Sequence, residues 1–186
     1  MDFKKKFQDK NEIRRYISSL KRQLSETEIQ RQSENVFRQV AASEIFARAS
    51  VILIYWSMPD EVRTYNFIEA YCGTKTFVLP VIEGDHPALK LFDGAHRLVR
   101  NGRWHVYEPQ GERFEDFRRI QLAIVPGVAF DADMHRLGRG KGYYDKLLSQ
   151  AETHKIGVGF HFQLLEKIPH EPHDIAMDQI ITGIPG

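Results

Sequence analysis

The chain has 186 residues, 42% of them hydrophobic and 27% charged, which is the composition of an ordinary globular protein long enough to bury a full core. A formal net charge of +1 excludes a global field that would recruit nucleic acid or a membrane surface. No stretch approaches the ~20 apolar residues of a membrane-spanning helix, the start lacks the apolar core of a signal peptide, and the only cysteine, Cys72, excludes an internal disulfide framework.

In chain order, Ile13, Ile17, Leu20 and Leu24 recur at helical spacing and predict a first helix, with Arg14, Arg15, Lys21 and Arg22 on its solvated side. Ser25-Glu26-Thr27-Glu28 is a capping box and starts a second helix with Ile29, Val36, Phe37 and Val40 on one side. Val51–Tyr55 is an unbroken apolar run, as expected of a strand buried on both faces. After the irregular segment 56–63, Thr64 is placed to cap a helix running to Cys72 and ending at Gly73, with Cys72 read as a small buried hydrophobe. Thr76–Ile82 predicts a strand and Leu89–Phe92 a shorter one near an edge. Residues 93–119, rich in Gly, Arg and Glu, read as a long irregular segment, and such segments are often functional. A strand at 121–125, a helix at 143–151, a strand at 155–160, a helical turn within 162–168 and a last strand at 177–182 complete the chain. The alternation predicts one α/β domain over residues 1–186, three-layered and Rossmann-like, with a mainly parallel sheet and helices on both faces. Ligands of such sheets bind beyond the carboxyl ends of the strands, here Tyr55/Trp56, Pro126/Gly127 and Phe160/His161.

The stretch Arg136-Leu137-Gly138-Arg139-Gly140-Lys141-Gly142-Tyr143-Tyr144-Asp145 carries the most chemistry. Glycines permit positive φ and close backbone approach, and interleaved cations favour an anion, so the loop reads as a phosphate grip. It is neither G-x-x-x-x-G-K-[ST] nor G-x-G-x-x-G. Candidate Mg²⁺ carboxylates are Asp145, Asp174 and Asp178, with Glu61 nearby in the crevice. His170, His173 and Asp174 lack the spacing and fourth ligand of a zinc site. No serine sits on a nucleophile elbow. Residue chemistry alone leaves open a sugar-phosphate isomerase or acyl-CoA transferase on a related sheet, and a non-catalytic nucleotide- or RNA-binding module. Nucleotide-dependent turnover separates the three.

Four blocks resemble the 5-formyltetrahydrofolate cyclo-ligase (methenyltetrahydrofolate synthetase) family over nearly the full length. They are Lys10-x-x-x-Arg14; Trp56-Ser57-Met58-Pro59-Asp60-Glu61-Val62-x-Thr64; Val125–Asp131 with Arg136–Asp145; and Gly157-Val158-Gly159-Phe160 leading to Gln163, Pro169, His173-Asp174 and Ile181-Thr182. The resemblance implies ATP- and Mg²⁺-dependent closure of 5-formyltetrahydrofolate to 5,10-methenyltetrahydrofolate with release of ADP and phosphate. Phosphorylation of the formyl oxygen would make it a leaving group for attack by N10. It implies ATP contacts from Lys10, Arg14, Arg136, Leu137, Gly138, Arg139, Gly140, Lys141, Gly142, Tyr143 and Tyr144. It implies folate contacts from Trp56, Met58, Glu61, Trp104 and the Arg139–Tyr143 stretch, including Gly140, Lys141 and Gly142. Catalytic roles fall to Arg139, Lys141 and Tyr143, and Mg²⁺ ligation to Asp145 and Asp174. Val81 follows Pro80 where the family often has Arg. The expected partner is the small-molecule folate, polyglutamylated or not, with no nucleic acid and no membrane, for a cytoplasmic monomer.

Overall fold

A computed structural model describes residues 7, 9–84, 86–102 and 106–185. Helix α1 (Lys10–Lys21) starts at Asp9, whose carboxylate accepts from the amides of Asn11 and Glu12, and buries Ile13 and Ile17 completely. Helix α2 (Glu26–Ala41) starts at Ser25, whose hydroxyl accepts from the Glu28 amide as the capping pattern requires. Helix α3 (Glu44–Arg48) leads into β1 (Val51–Leu53), α4 (Tyr65–Tyr71) into β2 (Thr76–Glu83), and β3 (His86–Leu91) follows. Then come β4 (Leu98–Arg100), β5 (Tyr107–Pro109), β6 (Leu122–Pro126), β7 (Ala129–Asp131), β8 (Arg136–Leu137), α5 (Tyr143–Leu148), β9 (His154–Gly159), β10 (Leu164–Leu165) and β11 (Gln179–Thr182).

Six strands form the main sheet in the order β11-β9-β6-β1-β2-β3, parallel except for the antiparallel edge strand β3. Counted along the chain this is the doubly wound order 3-2-1-4-5-6. The sheet is covered on both faces, as expected, but unequally. Ile52, Ile124 and Ile156 point to the face covered by α1 to α4, while Leu53, Ala123 and Val125 point to the other, where α5 supplies Leu147 and Leu148. A small sheet, β10-β7-β8, lies beside the carboxyl end of β6. Its Phe130 ring fills space that side chains on Gly127 and Gly157 would occupy, since a Cβ at either would come within 2.5 Å of it. Glycine at these positions is a packing requirement.

Several sequence expectations are corrected. Segment 93–119 holds a two-stranded antiparallel unit, β4–β5, which short polar strands disguise. Thr64 begins α4 without capping it: its hydroxyl donates to the Tyr55 carbonyl, a tertiary use that local spacing does not reveal. Cys72 is exposed, because it falls past the last buried turn of α4. The first two residues of the glycine stretch are strand β8, paired with β7, and α5 stops at Leu148 instead of 151. Trp104 lies outside the described residues.

Candidate active site

The strand order reverses between β1 and β6, and a crevice of about 370 Å³ opens at their carboxyl ends. Its β1 wall is built by a local network. The Tyr55 hydroxyl donates to the Val62 carbonyl, and the Thr64 hydroxyl accepts from the Ser57 amide while the Ser57 hydroxyl accepts from the Thr64 amide. These bonds close the 56–63 loop into a rigid lip. On it the Met58 amide donates to Glu61 Oε2 at 3.0 Å, so Met58 contributes backbone as well as a crevice wall. The Glu61 side chain is only 11% exposed and faces the crevice. Trp56 stacks on Phe92 at 5.7 Å beside it, and Val81 lines the β2 wall, which offers an apolar surface there.

The opposite wall is the glycine loop. Gly140 (φ 98°) and Gly142 (φ 65°) take left-handed conformations that place Lys141, Tyr143 and Arg139 around the opening. Arg139 reaches across: its Nη2 donates to Asp60 Oδ1 at 2.7 Å and to Glu61 Oε1 at 3.0 Å. The loop cation and the lip carboxylate, 78 positions apart in sequence, thus meet directly. Leu137 has its side chain in the core and its carbonyl bonded to the Val128 amide. Arg136 is buried in β8, its Nη2 on Asp145 Oδ1 at 2.9 Å and its guanidinium over the Tyr144 ring. Arg136 Nε and the Tyr144 hydroxyl are buried and have no hydrogen-bond partner among the described residues. Burial, helped by the Glu61 charge and opposed by Arg136, raises the Tyr144 pKa, so the phenol stays neutral. Burial and Glu61 do the same to Tyr55.

Helix α1 backs the glycine loop from behind. Arg14 Nε donates to the Gly138 carbonyl at 3.1 Å, bracing the loop. Lys10 Nζ lies 2.8 Å from Asp174 Oδ2 and 3.0 Å from Glu171 Oε1. Burial would raise the Asp174 pKa, but Lys10 and the Glu171 amide outweigh it and hold the carboxyl below its ordinary value. The Ile175 amide donates to Asp145 Oδ1 at 3.2 Å, which pins the residue next to Asp174 onto Asp145. The two expected metal carboxylates therefore lie on neighbouring segments, each paired with a cation.

Other candidates fall away from the site. Asp178 accepts from the Lys155 amide and ammonium at the amino end of β9, opposite the crevice. His161 is tied by its backbone and Nδ1 to Gln32 of α2. Gln163 is a clasp, its Nε2 donating to the carbonyls of Gly127 and Val128. Asp131, Asp133 and His135 form the one carboxylate–histidine triad close enough for a metal among the described residues. Asp131 is fully buried, but its oxygens already accept from the amides of Asp133, His135 and Ile168, as befits a structural clamp at the β7–β8 turn. Sequence reading missed Asp60 and placed Lys21 on the solvated face. The only signal was that Lys10, Arg14 and Lys21 share one helical stripe.

A doubly wound sheet with a cationic glycine loop and a carboxylate-bearing aromatic lip facing across its switch point defines a small-molecule enzyme of the α/β class. The chain belongs to the 5-formyltetrahydrofolate cyclo-ligase family, whose pattern it matches over residues 6–183. A probable 5-formyltetrahydrofolate cyclo-ligase of Schizosaccharomyces pombe is 32% identical, covering 93% of this chain and 94% of the relative. The 5-formyltetrahydrofolate cyclo-ligase of Mus musculus is 28% identical, with 92% of each chain covered. The NMR structure of Aquifex aeolicus 5,10-methenyltetrahydrofolate synthetase superposes with a TM-score of 0.83 at 33% identity, covering 93% of this chain and 89% of that one. The Mycoplasma pneumoniae synthetase does so with a TM-score of 0.73 at 26% identity, covering 93% and 98%.

Proposed function

We propose that the protein, as a single-domain cytoplasmic monomer, closes 5-formyltetrahydrofolate to 5,10-methenyltetrahydrofolate at the expense of ATP, with Mg²⁺. The observation that carries this reading is the meeting of Arg139 with Glu61 across the crevice, which puts a phosphate-loop cation and a pterin-sized, carboxylate-ended slot in one space. When bound, Mg-ATP supplies the phosphoryl group that turns the formyl oxygen into a leaving group, and the N10 proton is balanced by release of hydrogen phosphate.

The residues present fit that ligand. Asp145 and Asp174 are hard oxygen donors, and among the described residues Asp145 Oδ2 accepts no hydrogen bond. Lys10, Arg14 and Lys141 supply positive charge along the same side. Helix α5 has six residues, so charge and loop amides, more than a helix dipole, hold the phosphates. Glu61 accepts from pterin N–H groups, Trp56 and Tyr143 bound the flat ring system, and Arg139 and Lys141 neutralise charge that builds on the transferred group. Phosphoryl transfer of this kind is positioning and electrostatics, which accounts for a site without a nucleophile–base pair. The slot is apolar on its β2 side and the chain carries net charge +1, both suited to a small folate and not to nucleic acid. No helix among the described residues is long and apolar enough to cross a membrane.

The test is direct. Protein, Mg-ATP and 5-formyltetrahydrofolate are mixed, and the near-ultraviolet absorbance of the methenyl product is followed together with ADP. Stoichiometric appearance of both is expected. Product without nucleotide, or nucleotide binding without product, overturns the proposal.

A further inference from the structure

Lys21 is the last residue of α1, and its side chain is only 8% exposed. Its ammonium has one hydrogen bond among the described residues, to Asp60 Oδ2 at 3.4 Å. As a stability device this is poor. A buried charge with one long bond loses more hydration than it regains, and an apolar side chain of the same volume would serve the core better. The arrangement makes sense through its neighbour. Asp60 Oδ1 holds Arg139 Nη2 at 2.7 Å, so one carboxylate bridges a buried ammonium behind it and the loop guanidinium in front.

An ion pair between half-exposed partners such as Asp60 and Arg139 is weak and mobile in isolation. Lys21, shielded from solvent, fixes the carboxylate from the side that water does not screen. Burial lowers the Lys21 pKa and Asp60 opposes that, while Lys21 and Arg139 outweigh burial at Asp60, as expected of groups that sense one another. Arg139 also shares its Nη2 with Glu61. A ligand that takes the Glu61 oxygens removes one of the two anchors of Arg139, and Asp60 is the one that stays. Helix α1 then holds the loop at two places, through Arg14 on the Gly138 carbonyl and through Lys21, Asp60 and Arg139.

We propose that Lys21 and Asp60 are a positioning pair that keeps Arg139 at the lip once folate occupies Glu61, setting folate affinity more than nucleotide affinity. The inference rests on the function proposed above. Its test is a set of double-mutant cycles on the full chain. Calorimetry gives the Kd of 5-formyltetrahydrofolate in the presence of Mg²⁺ and a non-hydrolysable ATP analogue, and the Kd of that analogue alone. Asp60→Asn and Lys21→Met are each expected to raise the folate Kd roughly tenfold and to leave the analogue Kd within about twofold. In an Arg139→Ala background neither change should add a further loss, because both act through that guanidinium. Lys21→Arg should recover most of the folate affinity. Additive losses with Arg139→Ala, or an unaltered folate Kd in Asp60→Asn, overturn the pair. Asp60 is half-exposed, so Asp60→Asn carries the test even if Lys21→Met fails to fold. A wild-type chain that binds folate yet forms no methenyl product overturns the proposed reaction and leaves the cycle to judge the pair. One that binds no folate overturns both.

Discussion

Arg136 and Arg139 stand three positions apart, one in β8 and one in the loop after it, and have different parts, which burial decides. Arg136 is enclosed in β8 and pairs with Asp145, whereas Arg139 projects to the lip. Lys141 is exposed between two positive-φ glycines, where a cation can meet a bound anion without breaking the core. Lys141→Ala is therefore expected to lower turnover at least about tenfold, the loss of one charge-assisted contact, while the melting temperature hardly moves. Equal activity in mutant and wild type removes Lys141 from the phosphate grip. Met134 gives a stability prediction of the opposite sign. It is the one non-glycine residue at positive φ (66°) among the described residues, and it closes the β7–β8 turn. The left-handed conformation costs an L-residue roughly 1–2 kcal/mol, of which glycine's greater freedom in the unfolded chain returns about half. Met134→Gly should stabilise the fold by about 0.5–1 kcal/mol and raise the melting temperature by a degree or more. A lower melting temperature would show that the Met134 side chain contributes more than its backbone costs.

At the scale of elements, α1 is both cover and brace. Its Ile13 and Ile17 are fully buried, so deleting the segment would strip the core, and its role in ligand binding is better read from its charges. Lys10→Ala and Arg14→Ala are each expected to weaken nucleotide binding by roughly tenfold in calorimetry with little change in fold. Undiminished affinity in both would make α1 a cover only. This helix was legible in sequence because Ile13, Ile17 and Leu20 recur at helical spacing, and β1, β2 and β6 because strands buried on two faces read as nearly continuous apolar runs, while β9 shows the same burial through Ile156 and Val158 between glycines. The same patterns hid other things. Two-residue strand β8 has no period to detect, and its place is set by pairing with β7. The burial of Lys21 comes from where the lip folds over the end of α1, a tertiary fact that looks in sequence like one more charge on a solvated face. The cationic glycine stretch was readable from composition, but residue types alone offered Asp145, Asp174 and Asp178 alike, and only the fold puts Asp178 at the far end of the sheet from the other two. That Glu61 would meet Arg139 was readable only as a shared crevice, since contact across 78 positions depends on the strand order.

For the whole molecule, the strand order that makes the switch point also sets how charge is stored. Asp60, Asp174 and Asp178 are held below the ordinary carboxylate value of 3.8 by cations that outweigh their burial. Folded, they stay ionised where the unfolded chain would be protonated, so the folded state binds fewer protons and their contribution fades as pH falls below that value. Burial also lowers the His161 pKa from 6.5, so the folded chain resists a proton that the unfolded chain accepts, and stability begins to fall below about pH 6.5. Melting temperature should thus be flat from neutrality to about pH 9, fall above roughly pH 10, where tyrosines ionise in the unfolded chain while burial holds Tyr55 and Tyr144 neutral in the folded one, and decline in two stages on acidification, the upper stage shrinking in His161→Leu. A flat profile down to pH 3 would contradict this linkage. Near the crevice the stored charge bears on the metal. Asp145 is paired with Arg136 and Asp174 with Lys10, and the Ile175 amide ties the Asp174 segment to Asp145. A divalent ion alone would leave these cations facing it, and a nucleotide alone would face the carboxylates. Together, in the function proposed above, they would satisfy both sets, and Lys10 would be free to turn from Asp174 towards phosphate. One carboxylate leaves most of an octahedral shell to water and phosphate, and a second fixes the ion relative to the transferred group. Asp145→Asn and Asp174→Asn should each raise the Mg²⁺ concentration for half-maximal rate, and each should weaken nucleotide binding measured with Mg²⁺ more than without it. Because both carboxylates would hold one ion, the double variant should lose much less than the sum of the singles. Strict additivity, or an unchanged Mg²⁺ dependence in either single variant, would separate the two aspartates and refute the shared ion.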